Sequence, residues 1–593
     1  MQIVNIGILA HVDAGKTSLT ERLLYDTGVI DQLGSVDAGT TQTDTGDIER
    51  RRGITIRSAV ATFTVADRRI NLLDTPGHSD FIAEVERALG VLDGAVLVLS
   101  AVEGVQPHTR VLMRTLRQLR LPTLIFVNKI DRTGARVLDA DIRRLLRIRI
   151  APLSCVDPWA LAEEDDELLA ELVAGGEPSH SRLWTVLRTQ TAAASVHPLI
   201  YGSAITGQGL PQLLDAIRDL LPAAPPPEPE PRARVFAIER GALGEKVALV
   251  RSYGGRLQAR QRVPVYRPDA APARGQVRAV RVVGGGDVLT SGQIARLHGL
   301  PGIRIGDQVG SAAGLTGGVR FARPSLETTV RARDPEHTGA LHAALLALAD
   351  QDPLIHTEVS ADGESRVLLY GEVQQEVLAS TLAQEYGVEA VFTPTRIVHL
   401  ERPVGTGSAC HVINGRLAAT VGLRVGPGVG VHYGLEVELG ALPLSFHRAI
   451  EETVRLALGH GVYGWPVTDI SVHLTHCGYW SPISTAGDFR LATRVVLAEA
   501  LTAAGTRVAE PCHQFSLEIP ADRLGPVTAV LAQFGARVRT TLAEPDGWLL
   551  TGELLTRHVP AFQERLPALS SGEGVWTAAP GGDRPVMGPP PTR

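Results

Sequence analysis

Four short segments carry residue types whose spacing suits phosphate and purine chemistry: Ala10-His11-Val12-Asp13-Ala14-Gly15-Lys16-Thr17, Arg52-Gly53-Ile54-Thr55-Ile56, Asp74-Thr75-Pro76-Gly77-His78 and Asn128-Lys129-Ile130-Asp131. The first ends a strand-like run over residues 3–10 and opens a helix near Lys16. In that context backbone N–H groups and a helix N-terminus can cradle a β-phosphate. Lys16 is then placed to bridge the β- and γ-phosphates, and the Thr17 hydroxyl to bind Mg²⁺. Ala10 stands where such loops usually begin with glycine, and the lesser alternative for the segment by itself is an ordinary strand–turn–helix.

The other segments complete a site for GTP. The Asp131 carboxylate can accept from both N1–H and the N2 amino group of guanine, a donor pair that adenine lacks. The aliphatic stem of Lys129 can lie on the base, and Ser203-Ala204, after a later strand, would bring a backbone N–H toward guanine O6. Asp74 ends a strand and would hold Mg²⁺ through water, while Gly77 permits close approach of its N–H to the γ-phosphate. Thr55 follows a polar, strand-poor stretch, Asp31–Gly53, that fits a switch closed by γ-phosphate and Mg²⁺. His78 can orient the attacking water; a lone histidine reads first as a half-exposed turn residue, but its place immediately after Asp74-Thr75-Pro76-Gly77 reverses that preference. Lysine usage points the same way. Of 58 basic residues only Lys16, Lys129 and Lys246 are lysines, so two of the three fall in these segments, where a compact ammonium suits the space better than a planar guanidinium.

These segments need a scaffold of several domains, and 593 residues supply about four or five on a prior of 100–200 residues each. With 44% hydrophobic and 21% charged residues the chain is globular. A net charge of −6 gives no bulk attraction to nucleic acid, so any RNA contact must be local. Cys155, Cys410, Cys477 and Cys512 are widely spaced, form no metal-ligand pattern and suit a reducing cytoplasm. The N-terminus has no leader pattern, and no apolar run of about 18 residues predicts a membrane span.

Short apolar runs at Ile70–Leu73, Ala95–Leu99, Thr123–Val127 and His197–Tyr201 alternate with helical patterns such as Thr109–Leu121, which predicts a doubly wound parallel sheet over 1–222, closing in a helix at Leu210–Leu221. A Pro-rich linker follows at 223–232. Val-, Arg- and Gly-rich residues 233–323 predict a β-barrel. Residues 324–402 read βαββαβ, a ferredoxin-like order that returns at 511–578. Between them 403–510 carries strands and two helices, Ser445–Gly459 and Asp488–Ala504. The Pro/Gly-rich residues 579–593 predict a disordered tail that cannot form a helix, and Arg143–Arg149 reads as a solvated helix face.

Ala-His-Val-Asp-Ala-Gly-Lys-Thr, Arg-Gly-Ile-Thr-Ile and Asp-Thr-Pro-Gly-His together resemble the translational GTPases. The order of blocks (P-loop GTPase domain, β-barrel, ferredoxin-like, domain IV, ferredoxin-like) is similar to elongation factor G over nearly the whole chain, a multidomain α/β and β architecture. The resemblance implies that Val12 and Ile54 form an apolar gate beside His78 and that Asp13 lies beside the phosphates. Within this group, Leu33-Gly34-Ser35-Val36-Asp37-Ala38-Gly39-Thr40-Thr41-Gln42-Thr43-Asp44 and Tyr463-Gly464-Trp465-Pro466-Val467-Thr468-Asp469 resemble the tetracycline-resistance ribosomal protection proteins. So does Gly478-Tyr479-Trp480-Ser481-Pro482-Ile483-Ser484-Thr485, similar to the tip loop with which that family reaches decoding-site rRNA, Trp480 standing where a second Tyr is common. From the residues alone, Tyr479 and Trp480 are equally an edge-strand end covering the domain's own core.

The resemblance implies a monomeric, cytoplasmic, ribosome-stimulated GTP hydrolase. Its partners would be small-subunit rRNA near the decoding site and large-subunit GTPase-activating rRNA, and it would compete with ribosome-bound tetracycline. Two other readings stand beside it: an elongation factor G-like factor for translocation or rescue, and a nucleotide-switched ribosome-binding regulator with negligible turnover. Protection proteins usually carry a C-terminal helix where this chain reads as the Pro/Gly-rich 579–593.

Overall fold

Residues 4–10 are buried without interruption, which a strand tolerates only inside a sheet covered on both faces. The computed structural model supplies that sheet; it describes residues 2–34, 59–74, 88–224, 228–241, 244–267, 270–313, 326–351, 355, 357–359, 364–369, 372–414 and 417–593. The strands are β1 (Gln2–Ala10), β2 (Ala59–Val65), β3 (Arg68–Asp74), β4 (Gly94–Ser100), β5 (Thr123–Asn128), β6 (Arg149–Pro152) and β7 (Val196–Tyr201), in the order β2-β3-β1-β4-β5-β7-β6. Only β2 runs antiparallel, paired with β3. Helices α1 (Lys16–Asp26), α2 (Pro107–Gln118), α3 (Asp139–Leu146), α4 (Pro158–Ala162), α5 (Asp166–Val173), α6 (His180–Ala192) and α7 (Leu210–Asp219) connect them. One face of the sheet is covered by Leu19, Leu23, Leu213 and Ile217, the other by Leu112, Met113 and Leu116. The candidate segments therefore sit at the C-terminal ends of β1, β3 and β5, where open α/β sheets bind ligands.

The second face of the sheet also takes Phe236, Leu249 and Ile294 from an antiparallel barrel. The barrel has seven strands (Arg232–Arg240, Lys246–Gly254, Arg262–Arg267, Ala270–Gln276, Ala279–Val282, Ile294–His298 and Gln308–Gly310) and a short ladder of Arg256–Gln258 with Val288–Thr290. One buried ion pair pins it to the sheet. Arg251 reaches Asp93 at 2.5 Å and the Val91 carbonyl at 2.5 Å, and Asp93 also accepts from the Asn5 backbone N–H at 2.9 Å and side-chain amide at 2.8 Å. Their side chains are only 4% and 5% exposed.

Strands ordered Thr357–Val359, Ser365–Leu369, Leu326–Ala332, Ala390–Phe392, with helices Thr338–Gln351 and Glu372–Tyr386, have the arrangement of a ferredoxin-like fold. Contacts divide the chain into two compact units, Met1–Pro324 with Thr328–Thr393, and Ser325–Glu327 with Pro394–Arg593. In the second unit, strands Gly407–His411, Ala419–Pro427, Ile470–Tyr479 and Val431–Leu435 form a sheet backed by helices Leu444–Ala457 and Ala486–Ala504. A capping box between Thr485 and Asp488 starts the second helix immediately after the tip loop. The remaining sheet is built on the 14-residue strand Thr506–Ile519, flanked by Gly547–Leu555 and Val575–Pro585, with Arg537–Glu544 and Leu400–Pro403 completing it. Buried Glu401 accepts N–H bonds from Val462, Tyr463 and Trp465 at 2.8–3.0 Å and the Thr506 hydroxyl at 2.8 Å.

Two expectations are corrected. Residues 579–593 are not a disordered tail. Their strand continues to Pro585, with Ala579 opposite Gln514 and Arg584 opposite Glu510. The Trp465 indole N–H donates to Pro591 O at 2.7 Å, the Arg593 N–H to Tyr463 O at 3.0 Å, and the Arg593 guanidinium pairs with buried Glu327 at 2.8 Å. Gly581 and Gly582, read as breakers, fall where the register shifts between Pro511 and His513, so they serve a β-bulge. Nor is Arg143–Arg149 one helix face: α3 ends at Leu146, Arg147 takes φ 54°, and Arg149 opens β6.

Removing one partner of the Asp93–Arg251 pair strands a buried charge. Asp93→Ala is expected to cost about 3–5 kcal/mol, lowering the first thermal unfolding transition. An unchanged transition would show that the barrel does not depend on this pair.

Candidate functional site

β1 stops at Ala10 because the loop after it needs backbone conformations that strands do not offer. Asp13 has φ 66° and Gly15 φ 92°, and the Ala14 N–H closes a turn on His11 O at 3.3 Å. Helix α1 then starts at Lys16 with no side-chain cap and no acid in its first turn, so its leading N–H groups face a site suited to an anion. Gly15 is required twice over. Its φ lies in the left-handed region, and a Cβ there would stand 2.4 Å from Asn128 Nδ2.

The Asn128 amide explains that crowding. From the end of β5 its Nδ2 donates to Ala14 O at 2.9 Å, and its Oδ1 accepts the Ala204 N–H at 2.9 Å. One buried carboxamide thus joins the loops after β1, β5 and β7. Ala204, whose N–H was expected near guanine O6, here donates that N–H to Asn128 Oδ1. Within the same loop the Ile205 and Thr206 N–H groups are taken by Ser203 Oγ at 3.2 and 3.1 Å.

The Lys16 ammonium is buried against the Asp74 carboxylate at 2.5 Å, joining α1 to the end of β3. Thr17 is buried one residue further into α1. An ammonium, a hydroxyl and a carboxylate at an uncapped helix start are hard-oxygen and cation chemistry, which fits a phosphate chain and Mg²⁺. Val12 and Asp13 are exposed at the loop tip. Asp131 is also exposed, its nearest cation Arg132 at 4.0 Å. Thr55, Gly77, His78 and Ile54 lie outside the described residues.

Lys129 takes φ 65°, uncommon for a non-glycine, and its Nζ meets Glu103 Oε1 at 3.1 Å. The other oxygen of Glu103 meets His11 Nε2 at 3.0 Å, while His11 Nδ1 meets the Thr109 hydroxyl at 3.0 Å. Burial holds the His11 pKa below its ordinary value against the pull of Glu103. Burial alone would raise the Glu103 carboxyl, but hydrogen bonds from His11 and Lys129 outweigh it and leave the pKa lowered. Glu103 and Thr109 escaped the sequence reading; with lysine so rare, a search for the carboxylate paired with Lys129 was the available signal.

The second candidate element is the loop after strand Ile470–Tyr479. Ser484 fixes its shape: the hydroxyl accepts the Trp480 N–H at 2.7 Å and donates to Ala418 O, while the Ser484 and Ile483 N–H groups both return to Trp480 O, at 2.8 and 2.7 Å. Ser481 and Pro482 form the turn between them. Tyr479 sets its edge against Phe446, ring centroids 6.1 Å apart, and Phe446 stacks on buried Phe489. Tyr479 therefore serves the domain core in part, yet it stays 45% exposed, with Trp480 at 56% and Ile483 at 54%. Three exposed apolar side chains on a hydrogen-bonded turn make a rigid wedge.

Residues 1–223 match the elongation factor Tu GTP binding domain family, and residues 414–505 match elongation factor G, domain IV. The chain is 52% identical to the tetracycline resistance protein TetM of Streptomyces lividans, over 99% of this chain and 97% of that protein. It is 49% identical to the oxytetracycline resistance protein of Streptomyces rimosus over 100% and 97%, and 34% identical to TetO of Campylobacter jejuni over 99% and 96%. A crystal structure from Thermus thermophilus covers 99% of this chain and 97% of its own, with a TM-score of 0.67 at 24% identity, a likeness of fold.

Gly15→Ala forces a Cβ into the Asn128 amide in a left-handed conformation. Guanine-nucleotide affinity, read by fluorescent-nucleotide titration, is expected to fall by at least about 100-fold while the fold persists. Retained affinity would mean that the loop need not hold this shape.

Proposed function

Because the chain belongs to the tetracycline-resistance protein family of translational GTPases, we propose that it binds the ribosome as a monomer, uses GTP to engage it, and expels tetracycline from the decoding site. It hydrolyses GTP to GDP and phosphate. No helix among the described residues is long and apolar enough to cross a membrane, and the reading places the protein in the cytoplasm. Residues 1–222 act as the motor, 233–323 as the barrel joined to it through the linker 223–232, and 403–510 as the arm that carries the tip, between the ferredoxin-like blocks 324–402 and 511–578.

The chain's own residues have separate tasks. Lys16 exchanges its carboxylate partner for β- and γ-phosphate oxygens, and the N–H groups of Ala14 to Thr17 lie along the same anion. Asp131 takes the guanine donors, and the Lys129 stem covers the base. Thr17, Thr55 and Asp74 would hold Mg²⁺, which when bound offsets negative charge on the phosphates. His78, immediately after Asp74-Thr75-Pro76-Gly77, orients the attacking water behind the apolar pair Val12 and Ile54, and the Gly77 N–H meets the γ-phosphate. His11, Asp13 and Ala10 shape the loop that carries these groups. Contact with large-subunit rRNA starts hydrolysis, and hydrolysis releases the factor.

The observation that carries the drug-releasing step is the exposed wedge of Tyr479, Trp480 and Ile483 on the turn bolted by Ser484. An aromatic face can stack on an unpaired base of small-subunit rRNA, and tetracycline is a flat ligand in the same place, so wedge and drug exclude each other.

Two outcomes test this. His78→Ala is expected to cut ribosome-stimulated phosphate release by about 100-fold or more while GTP binding is kept; unchanged release would remove His78 from catalysis. Trp480→Ala forfeits one stacking partner, about 1–3 kcal/mol. A sensitive host expressing this variant is expected to lose most tetracycline tolerance while ribosome-stimulated GTP hydrolysis stays near normal, and full tolerance would contradict the wedge.

A further inference from the structure

Glu103 stands in a tight turn just beyond β4, away from every segment that resembles nucleotide chemistry, yet it touches two of them. The turn is built stiffly. Ser100 Oγ accepts the N–H groups of Val102 and Glu103 at 3.3 and 3.2 Å, the Gly104 N–H returns to Ser100 O at 2.8 Å, and the Ala101 N–H donates to Asn128 O at 2.8 Å. Gly104 takes φ 75° with the Arg136 guanidinium where a Cβ would go, so the turn has one shape. From this platform Glu103 sends one oxygen to Lys129 Nζ at 3.1 Å and the other to His11 Nε2 at 3.0 Å. His11 is held from its far side by Thr109 of α2 at 3.0 Å. With Glu103 ionised, Nε2 carries the proton that Glu103 accepts, and Nδ1 accepts from the Thr109 hydroxyl.

We infer that Glu103 is a positioning residue that locks the base-covering Lys129 to the entrance of the phosphate loop at His11, so that guanine and phosphate recognition are held as one unit. The inference rests on the nucleotide site proposed above and adds to it a residue outside that site's motifs. Lysine has a flexible four-carbon stem, and an ammonium pulled to a fixed carboxylate keeps that stem extended along one line. His11, two residues before the exposed turn at Asp13, keeps the loop's first half in place through the same carboxylate. Glu103 reaches the site only through Lys129 and His11. Its loss should therefore speed release of GDP and GTP alike and leave the hydrolytic step intact.

Stopped-flow dissociation of fluorescent GDP and GTP analogues from the full chain, joined to ribosome-stimulated turnover, tests this. Glu103→Ala is expected to raise both dissociation rates by about ten-fold and to raise KM for GTP, with kcat at saturating GTP within about two-fold of wild type. Glu103→Gln keeps an acceptor oxygen for Lys129, and its amide N–H donates to His11 Nε2 once the imidazole changes tautomer and donates from Nδ1 to the Thr109 hydroxyl; it is expected to recover most of the loss and guards against a simple folding defect. Dissociation from Glu103→Ala within about two-fold of wild type overturns the inference, as does a fall in kcat with dissociation unchanged. Failure of the wild-type chain to bind guanine nucleotides at all would instead overturn the site itself.

Discussion

The carboxamide of Asn128 is the contact on which the nucleotide end of the molecule depends. It fills the space that a Cβ on Gly15 would take, it accepts from Ala204 and it donates to Ala14, so three loops from three strands share one geometry. A buried amide with both ends satisfied is worth more than its hydrogen bonds counted singly, because leaving either end unpaired exposes the full desolvation penalty. The Asn128 amide thus braces the phosphate loop in which Asp13 and Gly15 take positive φ. Around this contact the strands do the coarse positioning, since Ala10, Asp74 and Asn128 all end parallel strands of one sheet.

The motor is also coupled outward. Asp93 sits at the start of β4, at the opposite end of the strand from the Glu103 turn, and binds both Asn5 and Arg251 of the barrel. β4 thus touches the nucleotide loops at one end and the barrel at the other. Buried ion pairs add little net stability but punish misplacement heavily, which suits a joint that must keep one orientation. In the second unit the same economy recurs. Glu401 gathers three backbone N–H groups and one hydroxyl, and Glu327 is paired by both Arg396 and Arg593.

Much of this was legible in the sequence. The apolar runs placed the core strands of the sheet within a residue or two, since a strand buried on both faces leaves a continuous signature. The two βαββαβ orders were legible from the succession of strand and helix patterns, since their strands show alternating rather than continuous burial. The strand at Arg149–Pro152 and the helices from Pro158 to Ala192 went unassigned, because their short amphipathic patterns give little periodicity. The closing strand was misread because Pro580, Gly581 and Gly582 are breakers in isolation, whereas a 14-residue partner strand lets them serve as a bulge. At the site, residues within motifs were readable and their partners were not. Nothing local in Val102-Glu103-Gly104 announces that this acid will meet His11 and Lys129, and nothing near Asn128 shows that it will claim the Ala204 N–H. Those are tertiary facts created by the order of strands in the sheet.

On the proposed function, a motor that binds guanine nucleotide drives an arm whose exposed aromatic turn displaces a small flat ligand. The most direct test is release of labelled tetracycline from drug-loaded ribosomes by the purified chain. Drug is expected to leave faster with GTP or a non-hydrolysable GTP analogue than with GDP or without nucleotide, since docking rather than hydrolysis drives the wedge into place. A dissociation rate that the chain and GTP leave unchanged would contradict the proposed function outright.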